Sequence, residues 1–209
     1  MYQATDVVTS EEQIRAVIPE EWQSQTGKII DHVDDLVRLW IERSPFIVIS
    51  TVDAAGAMDV SPKGDPAGFV KVLDQHTLAI PDRPGNHRYD GFLNILETGR
   101  IGIMFMVPNR REVVRVNGSA QVVRDQALRE RMAIKGRVPD FAIVVRVEEA
   151  FYHCGKAVLR SGLWEPDKAA PVDGLPSYAE AAHKHAGITD ATVEEIAEGF
   201  RYNEERRLY

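Results

Sequence analysis

Apolar residues along the chain follow two periods, and the change between them divides it. Near the start, Ser10 followed by Gln13 has capping-box form and predicts a short helix ending before Pro19. Ile29, Ile30, Val33, Leu36, Val37, Trp40 and Ile41 then recur at helical spacing, with Asp31, Asp34, Asp35 and Arg38 mostly on the other side. This predicts an amphipathic helix over 29–42 that Pro45 ends. From residue 46 the apolar runs become short and β-branched. Strands are predicted over 46–52, 57–61, 68–73, 77–80, 100–107, 112–123 and 141–152. Asp53 to Gly56 is a hairpin turn, residues 74–76 are a second, and Pro62 to Pro66 breaks the strand pattern.

About seven strands at hairpin spacing favour antiparallel pairing, because parallel strands need long crossovers. A closed antiparallel sheet of this size is a small barrel. Regular alternation of strand and helix is missing, which argues against a doubly wound fold. One helix is inserted after the fourth strand, carried by Tyr89, Phe92, Leu93 and Leu96, and another is predicted over 125–134 with Leu128 and Met132 inward. After 153 the period is helical again, with a helix stopped at Gly162, a proline-rich loop over 165–176, and helices over 177–185 and 189–203. The fold class is therefore mainly β with added helices (α+β), in a single domain: a helical arm over 1–45, a barrel over 46–153 and a helical tail over 154–209.

Composition narrows the partners. The chain has 209 residues, a net charge of −7 and 44% hydrophobic residues, so it can bury a full core. The negative charge argues against nucleic acid or an anionic membrane as the main partner. Cys154 is the single cysteine, so no internal disulfide forms. With no signal peptide and no bilayer-spanning apolar run in the sequence, a cytoplasmic protein is expected.

The candidate chemistry centres on residues 80–96. Pro81, Pro84 and Gly85 end a strand and force a turn, and Asn86 stands where a helix N-cap belongs. Arg83, His87 and Arg88 would then cluster at a helix start, whose free N–H groups and partial positive charge favour an anion. A guanidinium adds a planar fork that matches phosphate oxygens. The same residues also read as an ordinary polar connection with solvated arginines. Ser61 and Lys63, at a strand end beside Gly64, form a second cluster; a lysine there would stabilise a ring that becomes anionic on reduction, or would simply be solvated. No hydrolase, zinc-protease, P-loop or Rossmann motif is present, and the six histidines show no zinc-ligand spacing, so no metal site is expected. An anion-binding turn without an obvious acid, base or nucleophile fits a protein whose cofactor carries the reactive atom. No catalytic residue is assigned.

The motifs S-P-K-G-D at 61–65, P-D-R-P-G-N-x-R at 81–88 and R-V-N-G at 115–118, in that order, resemble the pyridoxamine 5′-phosphate oxidase-like FMN-binding split-barrel superfamily. The resemblance is strongest to its branch of probable FMN-dependent enzymes. It implies a six-stranded antiparallel split β-barrel and a homodimer with FMN at the subunit interface. It also implies an oxidoreductase acting on a small-molecule substrate with a reduced electron donor. By the family pattern the phosphate falls to Ile80, Pro81, Asp82, Arg83, Asn86 and Arg88. The ring falls to Ser61 and Lys63, with Arg115, Lys156 and Arg160 as further contacts. Pro81, the pair His87 and Arg88, and Val113 depart from true pyridoxamine phosphate oxidases, and their C-terminal substrate segment is missing. The resemblance therefore implies FMN binding more than oxidation of vitamin B6. Two alternatives belong to other classes: a carrier or sensor holding FMN or haem without turnover, and a reductase using the deazaflavin F420.

Overall fold

The computed structural model describes residues 1–85 and 87–209. The arm holds three helices. In α1 (Glu11–Arg15) the capping box forms as predicted, with Ser10 and Gln13 satisfying each other's main-chain N–H groups. A four-residue α2 (Gln23–Thr26) follows without a side-chain cap. The main helix, α3 (Asp35–Arg43), begins later than the apolar spacing predicts. Asp34 accepts from the main-chain N–H of Val37 at 2.8 Å and so fixes the start, as its short side chain favours. Ile30, upstream of that cap, instead pairs with Ala150 through two main-chain bonds of 3.0 and 2.7 Å. Val37, Trp40 and Ile41 are the buried face of α3.

Seven strands form one antiparallel sheet: β1 (Phe46–Val52), β2 (Met58–Gly64), β3 (Lys71–Asp74), β4 (Thr77–Pro81), β5 (Arg100–Met106), β6 (Val113–Val123) and β7 (Ala142–His153). This is the number the hydrophobic pattern predicts and one more than the six-stranded barrel implied by the resemblance. The order β2-β1-β5-β6-β7-β4-β3 leaves β2 and β3 at the edges. Pro62 does not end β2 as predicted, because an edge strand tolerates a residue without an N–H. In β1, Ile47, Ile49 and Thr51 alternate inward. Ile47 and Ile49 join Leu78, Ile80, Phe105, Val114, Val116 and Val145 in one cluster that includes Val33, Val37 and Ile41. A cluster fed by five strands, with α3 packed against it, means that the sheet curls around it.

Between β4 and β5 runs α4 (Asp90–Thr98), which carries the chain from one side of the sheet to the other. It sits on β1 through Asn94, which donates to Thr51 Oγ1 at 3.0 Å, and Thr98, which donates to the Val52 carbonyl at 2.7 Å. Gly99 ends it in the left-handed conformation, φ 64. Asp125 caps a short α5 (Gln126–Glu130) before β7. The tail is α6 (Lys156–Ser161), a 3₁₀ turn (Pro166–Lys168), α7 (Tyr178–His185) and α8 (Val193–Arg206), the last two opened by capping boxes at Ser177 and Thr192. Tyr178 and Phe200 stack between α7 and α8 at 4.6 Å. Among the described residues no helix is long and apolar enough to cross a membrane.

Candidate cofactor-binding site

A cavity of about 1320 Å³ opens beside the edge strand β2. Its walls are Ser61 and Lys63 of β2, residues 82–85 with His87 and Arg88, the first turns of α4, and residues of the segment 134–141. The face of β2 that carries Asp59, Ser61 and Lys63 is half-buried against it, as the two-residue period of a strand requires. Two segments about twenty residues apart thus meet on one space, because β2 and β4 lie on opposite sides of the curled sheet. Phe141 forms part of the wall, meeting the Phe92 ring edge-on at 5.7 Å with the Arg124 guanidinium 5.7 Å above it.

The turn differs in detail from its sequence reading. Asn86, the predicted cap and phosphate contact, lies outside the described residues. The helix starts at Asp90 with Tyr89 in the cap position and no side-chain cap, later than a cap at 86 places it. Asp90 supplies a carboxylate in the first turn and binds Arg88 at 2.7 Å, so the helix end meets an anion from its own sequence. That contact also raises the Arg88 pKa above its ordinary value. His87 adopts φ 62, an uncommon left-handed backbone for a side chain of this size, and such positions cluster at ligand clamps.

Arg83 lines the cavity, but its Nε donates to Asp65 at 2.6 Å and its Nη2 to the Met132 carbonyl at 2.9 Å. The pair is sheltered, with the side chain of Asp65 1% exposed and that of Arg83 17%. Asp65 follows the S-P-K-G motif, so Arg83 ties the end of β2 to the segment that leads into α4. Ile80 and Pro81 are buried and paired with Ile143 and Ala142 in the ladder. The main-chain N–H of Asp82 continues that ladder by donating to the Phe141 carbonyl at 3.0 Å. Arg115 lies over the Phe151 ring at 5.0 Å, and Lys156 and Arg160 are exposed on α6; none of the three lines the cavity. Among the described residues no group of three or more His, Cys, Asp or Glu could hold a metal ion.

The cavity also gathers residues that the sequence reading did not single out: Arg124, Arg137, Asp140 and Tyr209. Only tertiary closure brings them there. Arg137 had one local signal, a neighbouring Lys135 and Gly136 that form a tight turn. The carboxyl of Asp82 is pushed above its ordinary value, chiefly by burial, with Asp140 adding to the shift and Lys63 opposing it. A raised carboxyl costs stability when ionised, and that cost disappears as pH falls through its folded value. Asp82→Asn should therefore raise the melting temperature at pH 7, and calorimetry should show the gain shrinking as the pH falls through the raised folded value and vanishing below 3.8, the ordinary value for the group. A gain that grows on acidification would contradict this account.

An antiparallel sheet curled on one core, with a cavity of mixed charge at its edge, defines the class. The family model described as pyridoxamine 5′-phosphate oxidase matches residues 33–154, more than half of the 209 residues, and the chain belongs to that family. No curated protein matches the chain. Among solved structures, HupZ of Group A Streptococcus is 22% identical with a TM-score of 0.48, covering 57% of this chain and 93% of its own. A candidate pyridoxamine 5′-phosphate oxidase from Lactobacillus delbrueckii is 22% identical with a TM-score of 0.47, covering 58% and 95%. HutZ of Vibrio cholerae, described as a haem storage protein, is 14% identical with a TM-score of 0.41, covering 58% and 94%. The family assignment rests on the family model.

Proposed function

We propose that the protein is a cytoplasmic FMN-dependent oxidoreductase that holds its flavin in the cavity beside β2. The observation that carries the reading is the meeting of Ser61 and Lys63 with the Arg83–Arg88 turn on one space. These are the two motifs that the family resemblance assigns to ring and phosphate. The residues fit the group: Lys63, Arg88, Arg124 and Arg137 supply positive charge, and Phe92 and Phe141 supply an apolar wall. Arg88 would take the phosphate, exchanging part of its contact with Asp90 for phosphate oxygens. Arg83, committed to Asp65, would hold the turn in place rather than grip the phosphate. Bound flavin would supply the hydride-accepting ring, while Lys63 keeps a fixed cation beside it and the aromatic wall excludes water.

The same reading includes a homodimer that completes the cavity. Val60, Tyr89, Leu93 and Leu96 line the cavity and yet are exposed, Leu96 to 71%. An apolar patch at the mouth of a charged cavity fits a surface that a second copy covers.

Titration with FMN, followed by flavin fluorescence, tests the proposal. Arg88→Ala should weaken binding about tenfold, the loss of one charge-assisted contact worth about 1.4 kcal/mol. Its melting temperature should stay within a degree or two, since Arg88 is exposed. Protein that leaves FMN fluorescence unchanged would end the proposal. Reduction of the bound flavin by NADH or NADPH in a stopped-flow instrument would separate an enzyme from a carrier.

A further inference from the structure

One corner of the cavity already holds an aromatic group, and it belongs to the chain itself. Ile134 and Arg137 exchange two main-chain hydrogen bonds of 3.0 and 2.9 Å around Lys135, φ 47, and Gly136, φ 77. Two left-handed residues in succession make the tightest hairpin turn, and a lysine pays a conformational cost there that glycine would not. The turn holds Lys135 and Arg137 against Tyr209, which arrives from the end of α8. The Lys135 ammonium stands 4.7 Å from the centre of the Tyr209 ring. The Arg137 guanidinium donates to the Tyr209 main-chain oxygen. At the other end of the ring the Tyr209 hydroxyl donates to Asp65 Oδ1 at 3.0 Å, and Asp65 is the buried carboxylate that also holds Arg83. Three groups from two distant segments thus read three features of one unit: a hydroxyl, a ring face and an oxygen acceptor.

We propose that Asp65, Lys135 and Arg137 form a binding subsite for a small hydroxyaryl compound bearing a carboxylate, and that Tyr209 is its displaceable occupant. The inference goes beyond the flavin reading and stands without it, because none of the three contacts involves a cofactor. A carboxylate on a free ligand would accept from the Arg137 guanidinium where the Tyr209 main-chain oxygen accepts now, in a charge-assisted bond. The tethered tyrosine competes with it, since a segment linked to the site acts at an effective concentration on the order of millimolar. Tyr209 thereby admits only ligands that bind more tightly than itself.

The test uses the full chain and 3-(4-hydroxyphenyl)propionate as the probe, read by isothermal titration calorimetry. Tyr209→Ala should bind the probe at least tenfold more tightly than the wild type. Tyr209→Phe, which keeps the ring but gives up the bond to Asp65, should fall between them and serves if the alanine variant folds poorly. In Tyr209→Ala, 3-phenylpropionate should bind about tenfold more weakly than the hydroxylated probe, and adding Arg137→Ala should abolish binding. Equal affinity in the wild type, Tyr209→Ala and Tyr209→Phe, or binding in none, would overturn the proposal and leave Tyr209 as an anchor for the tail helices. Probe binding by protein that takes up no FMN would support the subsite while removing the cofactor reading.

Discussion

Gly118→Ala is expected to destabilise the protein by about 3 kcal/mol, which puts it among the most damaging single-methyl additions in the chain. The reason lies in the pairing of the two longest strands. Along β6 and β7 the register runs Asn117 to Glu149 and then Gly118 to Val147, so Glu148 is the extra residue of a bulge. Bulges increase local bend and twist, and this one falls where the sheet must curl around its core. A Cβ at Gly118 would stand 2.0 Å from the Arg146 carbonyl oxygen and 3.0 Å from its carbon. Both are main-chain atoms inside a ladder and cannot swing aside as a side-chain end would. Gly199 offers the contrast, since nothing lies within 4 Å of a Cβ placed there in α8. Gly199→Ala should be neutral or stabilising by up to about 1 kcal/mol. Guanidinium unfolding of both variants measures the difference. A midpoint for Gly118→Ala equal to the wild type would mean that the bulge yields without cost.

Much of the sheet could be read from sequence because the signal for a half-buried strand is local. In β1 every second residue is buried, and β-branched runs recur at hairpin spacing as far as β7. Helix starts were less legible where a polar side chain offered a cap inside an apolar run. Asp34 moved the start of α3 and released Ile30 to pair with Ala150, a contact between residues 120 positions apart. The strand order was not legible, since β4 pairs with β7 and β5 with β1 only after α4 crosses the sheet. The candidate site divides in the same way. Ser61, Lys63 and the turn near Arg88 sit beside recognisable breaks in the strand pattern. Arg124 and Tyr209 sit beside no such break, and they reach the cavity only because the whole fold closes on it. Asp65 is legible as the last letter of a motif, but its bond to a residue 18 positions later has no local signal, because the fold alone brings the two together.

That bond sets the second large effect. Arg83→Ala is expected to cost about 3–5 kcal/mol, the usual result of stripping the partner from a buried charge. Asp65 would keep the Tyr209 hydroxyl as a donor but would lose its counter-charge in a place where its side chain is 1% exposed. The Met132 carbonyl would lose its bond to the guanidinium as well. Asp65→Asn in the same chain removes the uncompensated charge, so the double variant should recover most of the lost stability. The difference between the sum of the single effects and the double effect measures the coupling. The pair of variants also separates two roles for Arg83. If it positions the turn through Asp65, FMN affinity should fall with Arg83→Ala and largely return in the double variant. If its guanidinium instead holds the phosphate directly, stability should return in the double variant while FMN affinity stays low. The geometry favours the first outcome, because Nε and Nη2 are both committed to protein oxygens at bonding distance. Arg88, outside that buried pair, is then the residue whose loss should weaken the ligand without weakening the fold.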